Sequence, residues 1–409
     1  MTRSSGILLP VSALPGPCGI GDLGTAAREF IDFLAAAGQR YWQILPLNPP
    51  DSAHSPYLSA STFAGSTDLL SPEPFMARGA LTLDEVRSVD WGGDPMRVDY
   101  GRVHAGKTAL WAAAFAREQA AVTPALRAAL AAEPWLMDYC LYMAIKEAQG
   151  GAPWYAWPSA LRDRDPAALA EAAVQLDARV LLHAYLQTEF TRQWDAVRAY
   201  AHAHGVRIIG DLPIYVAMDS ADVWAEPEMF QLDEHNVPTE VSGVPPDCFS
   251  EDGQLWGNPL YNYEAMAKDG FGWWIRRIGG AQKLYDVIRI DHFRGFESYW
   301  AIPYGETTAK NGRWVKGPGM ALVGVLTGWF HDIEFIAEDL GYPTPEVTQL
   351  LADSRLPGMK VLEFAFDSRD TSSYLPHSYG ENCICYTGTH DNAPLALWRT
   401  EADKADIAF

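Results

Sequence analysis

Three acidic side chains stand at the downstream ends of short apolar runs: Asp291 in VIRIDHFRGF, Glu338 in EFIAEDLG and Asp391 in CICYTGTHDN. A carboxylate in such a place is costly unless it is paired or used, because a buried charge loses its hydration. The runs 287–290, 333–337 and 384–387 read as strands of a parallel sheet. Parallel strands joined by helices end on one face, and in a β/α barrel that face carries the chemistry. Three carboxylates converging there point to a glycosidic bond. One, ionised, attacks the anomeric carbon and another, protonated, serves the leaving oxygen. A third grips the adjoining hydroxyls and stabilises the positive charge that develops.

The neighbours sharpen these roles without closing them. Arg289 and Asp291 are two apart on a strand and share a face. A guanidinium beside Asp291 would hold it ionised and nucleophilic; the same pattern also describes a buried structural ion pair. His292 and Arg294 would orient substrate or cap the strand. Glu338, after an apolar run and next to Asp339, should have a raised pKa, as a general acid requires, or else it caps the next helix. Asp391 lies in THDN with His390 and Asn392, which is also a common helix-start composition. Asp211 ends RIIGDL in the same manner and would pair with Arg289 from the adjacent strand, or stand by.

To position these residues the chain offers seven candidate strands, at 7–9, 41–45, 207–212, 287–291, 334–338, 360–366 and 383–386. Helical stretches such as 25–37 and 181–204 separate them. The fold class expected is α/β, a (β/α)8 TIM-type barrel with helical and loop-rich insertions. Its catalytic part would comprise 1–50 and 181–409. Residues 51–180 would form a mainly helical inserted subdomain, and 219–284 an aromatic-rich lid or loop insertion. A closed barrel of this type has eight strands, so the eighth βα unit is expected to be missing and the chain to be C-terminally truncated, with two strand edges unpaired.

Bulk composition narrows the partners. The chain has 409 residues, 48% hydrophobic and 20% charged, so a large core is within reach. Its formal net charge of −21 repels phosphate, which argues against nucleic acid. No 18-residue apolar run and no secretory leader are present, so the expected setting is cytoplasmic, away from membranes. Five cysteines form no zinc or disulfide pattern, and Cys383 and Cys385 read as small apolar fillers of a strand. The sequence holds no HExxH set, phosphate loop or GxSxG elbow, and no metal or cofactor is expected. The 15 Trp and 18 Tyr mostly fill cores, with a handful left to pack against sugar faces.

Beyond its three acids, the chain contains GILLPVSALPGPCGIGDLG, HSPYLSASTFAG, VDYGRVHAGK, GDLPIYVAMDSADVW, GVPPDCFSEDGQLWGNPLY, IRIDHFRGF, IAEDLG and TGTHDN. In these motifs, over nearly its whole length, it resembles the 4-α-glucanotransferases, the amylomaltase or disproportionating-enzyme family of glycoside hydrolase family 77. The resemblance implies a transferase acting on α-1,4-glucans (maltodextrins, starch, glycogen), with glucose or another glucan as acceptor. It implies Asp291 as nucleophile, Glu338 as acid/base and Asp391 as the transition-state carboxylate. Arg289, Asp211 and His390 would hold the reacting glucose, Tyr57 would stack on the donor sugar, and Asp247 and Trp256 would belong to a loop across the cleft. The implied course is a retaining double displacement through a glucosyl-aspartate. An α-glucan hydrolase and an inactive glucan-binding protein are the competing readings. The chain departs from the family at Cys248, where a tyrosine is usual, and at Ser66–Thr67, where Asn-Pro is.

Overall fold

The computed structural model describes residues 3–51, 54–94, 96–247, 250–341, 344–366 and 374–408. Among the described residues, eleven strands form in chain order: β1 (Gly6–Leu8), β2 (Tyr41–Gln43), β3 (Arg207–Leu212), β4 (Glu240–Val244), β5 (Gln254–Pro259), β6 (Val287–Ile290), β7 (Ser298–Pro303), β8 (Arg313–Lys316), β9 (Glu334–Ala337), β10 (Gly358–Val361) and β11 (Cys383–Tyr386). The central sheet is parallel, in the order β1-β2-β3-β6-β9. All four residues of β6 are buried, as expected for a strand covered on both faces.

Strands β10 and β11 pair in parallel with each other as a separate ladder. Hydrogen bonds tie that ladder to the sheet, among them that of the Met359 N–H to Asp339 Oδ1 at 2.7 Å. Ala337 N–H donates to the Pro357 carbonyl at 2.9 Å, and the Tyr386 hydroxyl reaches Gln43 Oε1 on β2 at 2.7 Å. Ile209, Val287, Ile336 and Met359, from four different strands, pack as one buried cluster, with Tyr41, Ile384 and Tyr386 against it. All seven expected parallel strands form. The sixth runs over Gly358–Val361 instead of 360–366, because Leu362–Ala365 turns into a 3-10 helix. Cys383 is half-buried and Cys385 exposed, so the expectation that both fill the interior is corrected.

The first crossover helix, Thr25–Ala36, buries Ala27, Ile31 and Leu34, one stripe of a 3.6-residue period. Long helices at Tyr100–Ala132, Pro134–Ala148 and Asp177–Ala203 occupy the interval between β2 and β3. Lys107 is fully buried there and donates to the carbonyls of Asp68 (2.6 Å) and Leu70 (2.8 Å), fastening the helix to that turn. A second sheet, antiparallel and ordered β5-β4-β7-β8, is built from the segments after β3 and β6. Among the described residues, no helix is long and apolar enough to cross a membrane.

One glycine sets how closely the central sheet is covered. A Cβ on Gly210 of β3 would lie 2.1 Å from the ring of Tyr285. That ring therefore rests directly on the backbone of the strand that carries Asp211.

Candidate active site

Side chains from the downstream ends of β3, β6 and β9 and from the segment after β11 meet above the parallel strands. Asp211 and Arg289 are register partners on β3 and β6. Arg289, 2% exposed, donates through Nη1 to Asp211 Oδ1 at 2.6 Å and to Asp291 Oδ1 at 3.0 Å. Strand pairing thus fixes the base of the site, and the guanidinium links two carboxylates of adjacent strands.

Tyr57 closes the opposite side of Asp211. Its hydroxyl donates to Asp211 Oδ2 at 2.6 Å and lies 2.6 Å from His390 Nε2, with the two rings stacked at 5.7 Å between centroids. The phenol has one proton to give. Given to Asp211, it leaves the phenolic oxygen to accept from His390 Nε2–H. In that tautomer His390 Nδ1 is a bare acceptor, buried and without a hydrogen-bond partner among the described residues.

Glu338, only 9% exposed, is held by backbone. Oε2 accepts the His292 N–H at 2.8 Å and Oε1 accepts the Leu340 N–H at 2.9 Å. The first bond exists because His292 has left-handed backbone, φ +48°, immediately after Asp291. Such strain in a bulky residue persists only where its surroundings enforce it, commonly at functional sites. The edge of Trp256 packs on the His292 ring at 4.9 Å, so the segment carrying Trp256 leans on this turn.

The electrostatics differ from the sequence expectation at Asp291. Burial is the largest influence and pushes its carboxyl up; Arg289 pulls it down, while Asp211 and Glu338 push it up again, to about 8. Arg289 alone therefore does not hold Asp291 ionised, as the sequence had suggested. Burial also raises Glu338, against Arg289 and the two backbone N–H groups. Arg289 loses hydration too, yet the surrounding carboxylates keep it charged. Burial lowers His292 to about 3 and lowers His390, so both are neutral imidazoles. Two like charges this close to one guanidinium favour a single proton on the Asp291/Glu338 pair.

The remaining expected residues sit further out. The Asp391 side chain is 71% exposed and lies 3.4 Å from His390 Nε2. Thr389 bonds Asn392 Oδ1 through both its N–H and its hydroxyl, a turn that leaves Asp391 at the rim. Asp247 is exposed and accepts the Ser250 N–H at 2.8 Å, within its own turn. Cys248 lies outside the described residues. Sequence reasoning missed the Tyr57 hydroxyl as the bridge between Asp211 and His390, and it missed the N–H groups that hold Glu338. No side-chain signal marks a backbone donor. The one available clue to the left-handed turn was a polar residue directly after a strand-end acid.

Comparison with known proteins shows the family. A family model described as 4-alpha-glucanotransferase, glycoside hydrolase family 77, matches residues 9–408. The chain is similar to a 4-alpha-glucanotransferase of Thermus thermophilus, 48% identical over 416 residues, covering 100% of this chain and 82% of that one. A 4-alpha-glucanotransferase of Aquifex aeolicus is 46% identical over 400 residues, covering 97% and 81%. Among solved structures, the amylomaltase from Streptococcus agalactiae in complex with acarbose superposes with a TM-score of 0.96 at 40% identity, over 100% of this chain and 83% of that one.

Proposed function

The chain belongs to the 4-alpha-glucanotransferases of glycoside hydrolase family 77, and from that premise we propose how its residues share the work. The enzyme moves a segment of an α-1,4-glucan to a new 4-hydroxyl. Asp291 attacks the anomeric carbon while Glu338 gives its proton to the departing 4-oxygen, forming a glucosyl ester on Asp291 and releasing the rest of the chain. Glu338, now ionised, takes the proton of an incoming 4-hydroxyl, whose oxygen attacks the same carbon and frees Asp291. Glucose or a second glucan serves as acceptor. The observation that carries this assignment is the asymmetry of Arg289. It donates a hydrogen bond to Asp291, whereas Glu338 is held by backbone N–H groups. A full positive charge hydrogen-bonded to Asp291 draws the pair's single negative charge to the nucleophile and leaves its proton to the acid.

Asp211, Tyr57, His390 and Arg289 form one connected set at the place of the reacting glucose. His390 Nδ1 supplies an unused acceptor for a sugar hydroxyl. Asp391 takes the hydroxyls beside the reacting carbon once a sugar covers it from solvent. Asp247 and Trp256 belong to the segment across the cleft, which displaces water in favour of the acceptor. The proton inventory closes on these side chains, so no step calls for a metal or cofactor. At the scale of the fold we read the seven parallel strands as the wall of a (β/α)8-type barrel. The buried cluster that draws on β3, β6, β9 and β10, with side chains of β2 and β11 against it, supports that reading. Residues 51–180 are then a mainly helical subdomain inserted in the barrel.

Incubation with maltotriose, with products resolved by size, tests the proposal. Glucose plus a ladder of longer maltodextrins is expected, lost with Glu338→Gln by a factor of about 100 to 10,000. New reducing ends without longer products would identify a hydrolase instead.

A further inference from the structure

Trp314 is not used by any step above. It lies on β8, the edge strand of the antiparallel sheet, and its side chain is 43% exposed. A large apolar ring left open on an edge strand forgoes burial and invites unwanted pairing. The ring is nevertheless held in place. Arg294, 5% exposed, lays its guanidinium 4.2 Å from the Trp314 ring centroid. Trp300, the register partner on β7, packs edge-on at 5.2 Å and 69°. The Trp300 indole N–H is consumed by the Ala309 carbonyl at 2.8 Å, whereas the Trp314 N–H makes no hydrogen bond among the described residues. Trp314 is thus a rigid aromatic surface with a spare donor at its edge.

Its position relates it to the site. Arg294 is three residues beyond Asp291, in the 3-10 turn Phe293–Phe296, whose first N–H, that of Phe293, donates to the Glu338 carbonyl at 3.0 Å. From Glu338 that turn leads through the Arg294 guanidinium to the tryptophan. The acid/base faces the leaving and incoming 4-oxygen, so whatever extends past it on this side is the glucan segment that departs and is replaced. Aromatic faces suit the C–H faces of sugar rings, and an indole N–H suits a hydroxyl.

We propose that Trp314 is a stacking platform for the acceptor-side segment of the α-1,4-glucan, several sugar units beyond the reacting bond. The assignment rests on Glu338 as acid/base. Arg294 is its positioning residue, holding the ring in the orientation the glucan meets. The platform selects for acceptor length: glucose is too short to reach it, and a maltopentaose spans the gap.

The test uses the whole chain, with maltotriose as donor and either labelled glucose or reducing-end-labelled maltopentaose as acceptor, in wild type, Trp314→Ala and Trp314→Phe. For Trp314→Ala the expected result is a rise of about 5- to 10-fold in KM for maltopentaose, with kcat held and KM for glucose changed less than about twofold. Trp314→Phe keeps an aromatic face and should recover most of the loss. Equal losses with both acceptors, or a fall in kcat, would show that Trp314 acts only by supporting Arg294 and the site, and would overturn the platform. An unchanged KM for maltopentaose would overturn it as well. Full activity of Glu338→Gln in the same assay would instead strike at the acid/base assignment on which the direction of the platform depends.

Discussion

At the scale of single residues the site is defined by who holds which charge. Arg289 bonds two carboxylates of different strands, and burial then sets the proton count. The Asp291 carboxyl, ordinarily at 3.8, is pushed up to about 8 by burial and by Asp211 and Glu338. Across that window the Asp291/Glu338 pair of the folded protein retains a proton that the unfolded chain has released, so the pair makes stability fall as pH rises. Asp291→Asn takes one carboxyl out of the pair and weakens the effect. Its melting temperature relative to wild type should therefore increase between about pH 5 and about pH 8, and a constant or shrinking difference by calorimetry would contradict the shift. Tyr57→Phe deletes the proton given to Asp211 Oδ2, leaving a buried carboxylate oxygen short of a donor at a cost of about 1–3 kcal/mol. A loss of roughly 10- to 100-fold in kcat/KM is expected. Unchanged kinetics would remove the phenol from the set that holds the sugar.

At the scale of elements, each charged residue owes its place to a strand end or to the turn that follows. The strands were legible because runs such as VIRI and RIIGDL are mostly apolar, with Ile and Val at successive positions, the mark of a strand covered on both faces. The strand-end acids could be picked out for the complementary reason, that a carboxylate after such a run has no packing role. What escaped the sequence depends on backbone. The left-handed turn at His292 aims an N–H at Glu338, and a polar residue after the strand-end acid is the one trace of it in DHFRG. The early end of β10 has the same origin, since LEFA suits a strand and a 3-10 turn alike. Gly210 provides an element-scale test, because a methyl there would overlap the Tyr285 ring on the strand that carries Asp211. Gly210→Ala should destabilise the protein by about 1–3 kcal/mol or more and lower activity through Asp211. A stable, fully active variant would show that the ring can retreat without moving β3.

At the scale of the whole molecule, one sheet supplies the chemistry and the other supplies surface. The parallel strands bring Asp211, Arg289, Asp291 and Glu338 to one end, while the antiparallel sheet carries Trp256 toward His292 and Trp314 beside Arg294. A cavity of about 680 Å³ at the other end of the parallel strands is lined by Arg3, Arg40 and Arg207 and holds none of the site's carboxylates. The central claim is that Asp291 carries the sugar and Glu338 moves the proton, and trapping the intermediate tests it most directly. α-Maltosyl fluoride needs no acid to lose its leaving group, and Glu338→Ala lacks the base that would hand the sugar on. Intact-mass and peptide mass spectrometry of that variant should show one maltosyl group accumulating on the peptide that contains Asp291, and none with Asp291→Asn. An adduct on the peptide of Asp391, or turnover of the fluoride without any adduct, would contradict the account.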